Sequence, residues 1–392
     1  MGKSLKWVGL GILLMSCSTG KEMLPKARVN GANTPSIIVS QERIRIPQYP
    51  HSPLSSSINM AYVLAWHPSG QELAVVDDRR HVWVLDFKTR QWLPTLGKLV
   101  SKDGGKPRIA YSPDGRYLAA GATVISLFSA STHQVLGSIV TNSLPEERHP
   151  GVIDLVFSPD SQNLAIAYRG YWTDKTTLPT DALTVYALSS GRWQFISKIL
   201  PFHSKSDLST NLVYTLDGRT LLVGRWSLLP YTEREKTGKP SQYFTFIDYF
   251  DSQTGGVKRS ITPVHIMRPT AIALSPDGQF LATGTNTGDI SGSIHNKDPV
   301  KLWNLATGQV MREYPIHGGG VRALAISPDG RYLAVHQVQK ILLFDFASGR
   351  HLHTVVLPGE PGFAFSLQLV FHPNGKLLAI PLDDYVYLIT LK

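Results

Sequence analysis

The sequence predicts an all-β protein, a seven-bladed β-propeller of four-stranded antiparallel blades whose ring is closed by an N-terminal strand. A turn motif followed by an apolar strand recurs seven times along the chain. Successive copies are 45 to 60 residues apart, and the shortest spacing matches the length of one four-stranded blade. The 33 Gly and 26 Pro among 392 residues favour tight turns over long helices.

The N-terminus has the order of a secretory signal. Lys3 and Lys6 precede an apolar run over residues 7–15, which is too short for a permanent membrane span of about 20 residues. The run leads into Leu14-Met15-Ser16-Cys17, which resembles the lipobox of bacterial lipoproteins. The resemblance implies cleavage before Cys17 and acylation of its thiol and of the new amino terminus. The alternative is an ordinary signal peptide with a chance cysteine.

These features divide the chain into a signal peptide (1–16), a lipidated flexible tether (17–35) and the propeller (36–392). Residues 18–35 have no strand or helix periodicity. The residue directly after Cys17 is Ser18, whereas an aspartate at this position resembles an inner-membrane retention signal. This favours the outer membrane, facing the periplasm, over the inner membrane. Cys17 is the only cysteine. No disulfide can therefore form within the chain, and the exported domain must be stable by burial alone.

The charge of the chain is positive but diffuse. The formal net charge is +10, and removal of Lys3 and Lys6 with the signal lowers it to +8. Such a field attracts anionic surfaces such as phospholipid headgroups, polyanionic glycans or acidic proteins without distinguishing among them. The sequence contains no block of Lys and Arg residues of the kind that would indicate nucleic-acid binding.

The strand that closes the ring is expected near the start of the propeller. The last repeat ends at Lys392 after only three of its strands, so the fourth must come from elsewhere. Segments 36–39 and 43–47 are both strand-like, and the alternation of Arg43 to Ile46 is the cleaner. A closing strand there removes the exposed edge of an open ring.

The repeated unit is a tight turn between two strands. Pro fixes φ, Asp bonds the nearby backbone, and Gly accepts the left-handed conformation. A half-buried strand precedes each turn, and an almost continuously apolar strand follows it. The copies are His67-Pro68-Ser69-Gly70, Ser112-Pro113-Asp114-Gly115, Ser158-Pro159-Asp160-Ser161, Thr215-Leu216-Asp217-Gly218, Ser275-Pro276-Asp277-Gly278, Ser327-Pro328-Asp329-Gly330 and His372-Pro373-Asn374-Gly375.

Ser-Pro-Asp-Gly-x-x-Leu-Ala, together with Leu302-Trp303-Asn304-Leu305-Ala306-Thr307-Gly308, resembles the repeat of the WD-repeat family over about residues 58–392. The resemblance implies a structural hydrogen-bond network of a His ten residues before the turn, a strand Ser or Thr, a turn Asp and a strand Trp. The corresponding residues are His265, Thr283, Asp298 and Trp303 in the fifth blade and His317 in the sixth. The pattern lapses elsewhere, where the His position holds Lys102, Arg148 and Lys205, and Phe344 replaces Trp.

Three repeats carry insertions between their second and third strands, over residues 168–182, 225–242 and 285–299. Such loops emerge on one face of a propeller, so three consecutive insertions predict a raised wall beside the channel. Their mixture of Tyr, Trp and Arg is typical of binding hot spots, although aromatic residues also pin long loops to a rim. The candidates are Tyr168, Arg169, Tyr171, Trp172, Arg225, Trp226, Tyr231, Arg234 and Tyr243.

Signals of catalysis are weak. The zinc-protease, nucleophile-elbow, phosphate-loop and Cys-x-x-Cys motifs are missing. Ser293, His295 and Asp298 have the residue types of a triad but are crowded into one insertion. His351 and His353 project to one side of an outer strand without a third metal ligand in view. Asp77-Asp78 and Asp383-Asp384 recur at one repeat position, which indicates turn residues rather than an acid/base pair.

Three functional hypotheses follow from these features. The first is a monomeric, lipid-anchored scaffold or adaptor that binds an envelope protein or protein complex and needs neither cofactor nor metal. The second is a propeller enzyme, lactonase-like or another hydrolase, with a site at the channel mouth. The third is a glycan-binding envelope protein that uses Trp172 and Trp226. A fold alone does not choose among them.

Overall fold

The computed structural model describes residues 22–23, 37–48, 60–100, 106–140, 151–169, 182–189, 192–199, 206–228, 243–262, 264–265, 269–285, 299–316, 320–337, 339–358 and 368–392. Every regular element in these ranges is a β-strand, and the strands form seven antiparallel blades. The predicted all-β propeller is therefore confirmed. Within the same ranges, no helix has the length and apolar character that a membrane crossing by a helix requires.

The first strands along the chain, β1 (Glu22–Met23) and β2 (Ile38–Arg45), belong to the last blade. Blades 1 to 3 follow in chain order. Blade 1 contains β3 (Ala61–Trp66), β4 (Glu72–Asp77), β5 (His81–Asp86) and an outer strand split into β6 (Gln91–Trp92) and β7 (Gly97–Lys98). Blade 2 contains β8 (Arg108–Tyr111), β9 (Tyr117–Gly121), β10 (Val124–Ser129) and β11 (Val135–Val140). Blade 3 contains β12 (Gly151–Phe157), β13 (Asn163–Arg169), β14 (Ala182–Ser189) and β15 (Arg192–Ile199).

The remaining four blades repeat the same order from the channel outwards. Blade 4 contains β16 (Ser206–Tyr214), β17 (Thr220–Leu228), β18 (Tyr243–Asp251) and β19 (Val257–Ile261). Blade 5 contains β20 (Pro269–Leu274), β21 (Phe280–Thr285), β22 (Val300–Asn304) and β23 (Val310–Tyr314). Blade 6 contains β24 (Ala323–Ile326), β25 (Tyr332–His336), β26 (Lys340–Asp345) and β27 (His351–Val356). Blade 7 contains β28 (Val370–Phe371), β29 (Leu377–Leu382) and β30 (Tyr385–Leu391), with β2 outside them.

Strand β2 closes the ring as predicted. It runs antiparallel to β30, with Ile38 opposite Leu391 and Arg45 opposite Tyr385. The strand includes Arg43 to Arg45 of the favoured segment and also Ile38 and Val39 of the other candidate. A bulge at Val39 separates the pair Ile38 and Leu391 from the pair Ser40 and Thr390. The closing strand is thus longer than the alternation of Arg43 to Ile46 indicated.

Hydrogen bonds at the end of the closing strand β2 also link it to blade 1. The Ile46 amide donates to the Asp384 carbonyl at 2.9 Å, and the Trp92 indole donates to the Arg45 carbonyl at 2.9 Å. Arg45 Nε lies 2.8 Å from Asp384 Oδ2. Three elements that are distant in sequence are therefore joined at one point.

The predicted tether differs from the structure at Glu22–Met23. These residues form β1 and pair with Arg43 and Glu42 on β2, because an edge strand presents unpaired backbone groups to any further strand. The signal peptide, Cys17 and the remaining tether residues lie outside the described residues.

The turn motifs bring neighbouring blades into contact at one end of the channel. Gly115 has φ +73°, and a Cβ built there would lie 2.7 Å from His67 Nε2 of the preceding blade. That imidazole donates to the Gly115 carbonyl at 2.9 Å. Ser161 adopts φ 61° at the one turn without Gly, and its hydroxyl accepts from the Asp114 amide of blade 2 at 3.0 Å.

The apolar core lies between the blades. Leu64, Val75, Ala379 and Val386 belong to a single cluster that joins blade 1 to blade 7, and each is almost inaccessible to solvent. Similar clusters join the blades around the ring. Each blade is therefore stabilised by its neighbours, which is the expected energetic arrangement of a closed repeat protein.

Candidate functional site

The innermost strands of the blades surround a central cavity of about 790 Å³. Most of its lining is apolar, as expected from innermost strands that pack on their neighbours. The charged residues that line it are Lys106, Arg108, Asp154 and Arg322, and the neutral polar ones are Asn211, Thr270 and Gln368. A volume of this size is within the usual range of ligand pockets.

Side chains of the channel wall bond the backbone of the next blade. Arg108 Nε donates to the Ile153 carbonyl at 2.5 Å, which joins blade 2 to blade 3. Asp154 Oδ2 accepts from the Leu212 amide at 2.7 Å, which joins blade 3 to blade 4. We call this set of interblade hydrogen bonds the channel belt.

The channel belt continues through neutral side chains. The Asn211 side chain donates to the Ile272 carbonyl at 2.8 Å and accepts from its amide at 3.0 Å. Thr270 Oγ1 donates to the Val321 carbonyl at 2.7 Å, and Gln368 Oε1 accepts from the Leu64 amide at 3.0 Å, across the seam between blades 7 and 1. Backbone groups that have no strand beside them in the channel are satisfied in this way.

The channel belt was missed by sequence reasoning, although the sequence contains a signal for it. Arg108, Asp154, Asn211 and Gln368 all stand four residues before the first residue of the turn motif. A polar residue stands at that position in four of the seven repeats, and Val63, Ala271 and Ala323 stand there in the other three. This recurrence marks the residues that face the channel.

Asp154 is the one acidic residue among the described residues that line the channel. Its side chain is 14% exposed and lies 3.9 Å from Arg108 Nε. Burial raises the pKa of Asp154 to about 6, although Arg108 and the amides of Leu212 and Leu155 favour the ionised form. Desolvation is therefore the larger effect, and this carboxylate titrates just below neutral pH.

Among the second strands that the structure describes, β17 of blade 4 reaches farthest past its turn. Strand β17 continues for ten residues past Gly218 and pairs with β18 as far as Leu228 opposite Tyr243. The equivalent strands of blades 5 and 6 end seven residues past Gly278 and six past Gly330. At about 3.4 Å per residue, three further residues extend the hairpin by roughly 10 Å.

The predicted wall residues fall into three groups. Trp226 is half-buried on the extended part of β17, and Tyr243 begins β18 opposite Leu228, two residues farther along the hairpin. Arg225 lies on β17 too, but its Nε is 2.6 Å from Asp248 Oδ2, and its guanidinium covers the Phe246 ring at 4.6 Å. Tyr171, Trp172, Tyr231 and Arg234 lie outside the described residues.

Two of these residues have further contacts. Tyr168 does not belong to the exposed wall, since it is 2% exposed and belongs to an apolar cluster, because β13 extends into the predicted insertion and turns this ring inwards. Only 19% of the Arg225 side chain is exposed and its carboxylate partner is buried, and its role in partner binding stays a prediction. Neither set of contacts was visible in sequence because both depend on strand register.

The structure brings together three residues of the predicted network in blade 5. His265 Nε2 lies 2.7 Å from Thr283 Oγ1, which also accepts from Trp303 Nε1 at 2.9 Å. All three side chains are buried. Asp298 and His317 lie outside the described residues.

Blade 1 has a related network that uses one member of an acidic doublet. Asp77 is fully buried and accepts from Trp83 Nε1 at 3.0 Å and from His81 Nδ1 at 3.1 Å. Asp78 Oδ1 accepts from the Met60 amide at 2.9 Å. The first doublet is therefore engaged in the turn and the strands beside it.

The second doublet lies in the turn between β29 and β30. Asp383 has φ 50°, and its carbonyl accepts from the Ala61 amide of blade 1. Burial and the neighbouring Asp384 carboxylate both raise the pKa of Asp383. Asp384 pairs with Arg45, as described above.

The histidine pair on β27 has local partners. His351 Nε2 bonds Thr354 Oγ1 at 2.9 Å. Burial, and to a lesser extent His351, lowers the pKa of His353. In the part of the chain that the structure describes, no group of three or more His, Cys, Asp and Glu residues is arranged to hold a metal ion. Ser293, His295 and Asp298 lie outside that part.

Comparison with known proteins supports the repeat assignment. A family model described as WD domain, G-beta repeat matches residues 308–335, which run from the outer strand of blade 5 to the second strand of blade 6. This match shows a WD repeat at these residues, and the seven blades confirm the predicted β-propeller.

Two curated proteins are similar to the chain. The Periodic tryptophan protein 2 homolog of Dictyostelium discoideum is 30% identical over 118 residues, which cover 29% of this chain and 11% of that protein. The Cilia- and flagella-associated protein 251 of Tetrahymena thermophila is 21% identical over 357 residues, which cover 82% of this chain and 33% of that protein. The matched part of the chain thus spans about a tenth of the length of the first relative and about a third of the length of the second.

Proposed function

We propose that this WD-repeat propeller is a protein-binding scaffold or adaptor rather than an enzyme, and that its partner docks on the insertion-bearing face. The observation that supports this best is the asymmetry of that face. The β17–β18 hairpin extends beyond the second strands of blades 5 and 6. Loops and hairpins that project from a rigid scaffold are where propellers and other repeat proteins bind partners.

We further propose that lipid at Cys17 holds the scaffold at the bacterial cell envelope, on the periplasmic side of the outer membrane. The lipobox and the preceding apolar run support this anchor. Two or three acyl chains anchor a protein stably where a single chain does not. The partner is then an envelope protein or protein complex.

Crosslinking in native envelopes followed by mass spectrometry tests the binding face. The test variant carries Trp172→Ala, Trp226→Ala and Tyr231→Ala, and the control carries Met311→Ala and Val356→Ala, which remove exposed side chains from the outer edges of blades 5 and 6. We expect one discrete protein partner with the wild type and the control, and its loss in the test variant because hot-spot aromatics are removed.

Retention of the same crosslinks by the test variant would show that binding occurs elsewhere on the molecule. Absence of any protein partner from all three samples would favour the hydrolase or glycan hypotheses. A hydrolase substrate panel and a glycan array then distinguish those two.

The anchor is tested by incorporation of labelled palmitate. Cys17→Ser should abolish the label and move the protein from the membrane to the soluble fraction, because the acylated thiol is lost. Ser18→Ala is the matched control and should retain both the label and the membrane fraction. A membrane-bound, unlabelled wild type would refute lipidation at Cys17.

A further inference from the structure

One buried histidine belongs to none of the networks described above. His336 is the last residue of β25, and its side chain is fully buried. Within the part of the chain that the structure describes, neither of its ring nitrogens has a hydrogen-bond partner. Buried polar groups in proteins are nearly always paired, so an imidazole without a partner is an unusual feature of this fold.

The strand register places this ring in the seam between blades 6 and 7. Side chains alternate along β25, so His336 is on the same face as Tyr332 and Ala334, which pack in the cluster shared by these two blades. Its partners on the neighbouring strands, Ala323 and Ile341, belong to the same cluster. The imidazole therefore lies in an apolar seam.

The charged groups of blade 6 around this ring are cations. The Arg322 amide donates to the His336 carbonyl at 2.8 Å, and the charge of Arg322 disfavours a proton on the imidazole. Lys340 begins β26, the strand on the other side of β25. The outer strand β27 contributes two further imidazoles, His351 and His353.

Blade 7 supplies no counter-charge to the seam in its described residues, 368–392. Strands β28 and β29 contain no titratable side chain, and β30 contributes the phenol of Tyr387 to the cluster. Asp383 and Asp384 follow β29, but the Asp383 carbonyl bonds blade 1 and the Asp384 carboxylate pairs with Arg45. A proton on His336 thus places a charge without a partner among apolar side chains, which is strongly disfavoured.

We propose that His336 makes the seam between blades 6 and 7 an acid-sensitive joint, which is closed while the imidazole is neutral and opens when the imidazole takes up a proton. The joint lies next to the blade that carries the closing strand β2, so acid loosens the ring beside its point of closure. It does not depend on the scaffold function.

The direction of the pH effect follows from the environment of the imidazole. Burial, and to a lesser extent Arg322, lowers the pKa of His336 from 6.5 to about 3 in the closed ring. Between these pH values the open or unfolded state binds a proton that the closed state does not. The stability contributed by neutral His336 is therefore complete above pH 6.5 and is lost as pH falls through this window.

Chemical unfolding of the full-length protein at pH 7.5 and pH 4.5 tests the joint. His336→Leu is the test variant, because leucine is similar in volume and cannot take up a proton. Relative to wild type, its ratio of folded to unfolded protein should be about a hundredfold higher at pH 4.5 than at pH 7.5. The matched control, His351→Leu on the exposed outer strand of the same blade, should follow the wild-type pH profile.

Hydrogen exchange at pH 4.5 locates the opening. Backbone amides of β25 and β29 should exchange about tenfold faster in wild type than in His336→Leu, whereas β9 and β13, in the seam between blades 2 and 3, should exchange alike in both. At pH 7.5 no strand should differ. Parallel unfolding profiles, or equal exchange of β25 at pH 4.5, would overturn the proposal. So would faster exchange spread evenly over all blades, since the whole ring would then unfold without a local joint.

A further measurement does not require the leucine variant to fold. In the NMR spectrum of wild type with ¹³C-labelled histidine, the His336 resonance is assigned by its loss in His336→Gln. It should keep its neutral position below pH 6 for as long as β25 exchanges slowly. Protonation near pH 6.5 with β25 still protected would show that the closed seam accepts the charge, and the joint would be refuted.

Discussion

At the scale of single residues, Asp154 forms a hydrogen bond that links two blades, but its burial makes the ionised carboxylate costly. Its carboxylate accepts a hydrogen bond from the Leu212 amide, which links two blades. Its burial makes the ionised form costly, so that the pKa of Asp154 rises to about 6. A group whose pKa is higher in the folded state than in the unfolded chain stabilises the fold more at low pH than at high pH.

Asp154→Asn should therefore change the pH dependence of stability. Between about pH 4 and pH 6 the folded protein binds a proton at Asp154 that the unfolded chain does not, so this contribution to the free energy of unfolding falls as pH rises through that window. Relative to wild type, Asp154→Asn should gain on the order of 2 kcal/mol more at pH 7 than at pH 4.5. Urea unfolding at the two pH values measures the difference.

Asp217→Asn is a suitable comparison because its pKa is shifted the other way. Hydrogen bonds from Thr215 and the Arg219 amide lower the pKa of Asp217. Asp217→Asn should lower the free energy of unfolding at pH 7, because it removes the carboxylate that accepts these hydrogen bonds. Parallel pH profiles for wild type and Asp154→Asn would mean that Asp154 titrates as an ordinary carboxylate.

At the scale of single elements, β2 shows that residues of one strand can differ widely in burial. Ile44 is 8% exposed and packs in the cluster between blades 7 and 1, whereas Val39 in the same strand is 59% exposed. Both residues belong to β2, in which Ile44 lies opposite Val386 of β30 and Val39 lies at the bulge. Substitution of Ile44 and of Val39 therefore distinguishes the contribution of side-chain packing from that of the backbone pairing of β2.

Ile44→Asp should lower the free energy of unfolding by about 3 kcal/mol or more, because it places a carboxylate in an apolar seam. Val39→Asp should change it by roughly 0.5 kcal/mol or less. Chemical unfolding followed by tryptophan fluorescence measures both. Similar small effects of the two substitutions would show that the seam between blades 7 and 1 opens readily to water.

Sequence predicts the elements of this molecule better than their contacts. The seven turns and the apolar strands after them are local patterns, so the blades and the closing strand follow from periodicity. Arg225 is predicted on the binding surface, and its contact with Asp248 was not foreseen, because the register of β17 and β18 brings the two side chains together. That register is set by the hairpin and is not encoded in the spacing of single residues.

The site depends on relations between blades, which are harder still to predict. Thr283 and Trp303 belong to one blade, and the resemblance to a known repeat identifies them. The channel belt joins residues such as Gln368 and Leu64, which are 304 positions apart. Only closure of the ring makes them neighbours, so no local pattern specifies the pair.

At the scale of the whole molecule, two ends of the channel have different chemistry. One end carries the turn motifs, where His67 and His372 each bond the next blade. At the other end, Lys106, Arg108 and Arg322 of the cavity lining lie at or just before the starts of β8 and β24. The two ends of the ring therefore differ in chemistry, and a charged molecule that approaches would be steered differently by each.

The pairing of β2 with β30 also fixes the order in which the molecule is completed. Ile38 meets Leu391, so residues made early in translation must wait for residues made more than 350 positions later. Until then blade 7 lacks its outer strand, and the half-formed ring exposes strand edges to other chains. A chain whose last strands have not yet been added is thus an open array of blades, with its first and last blades unjoined.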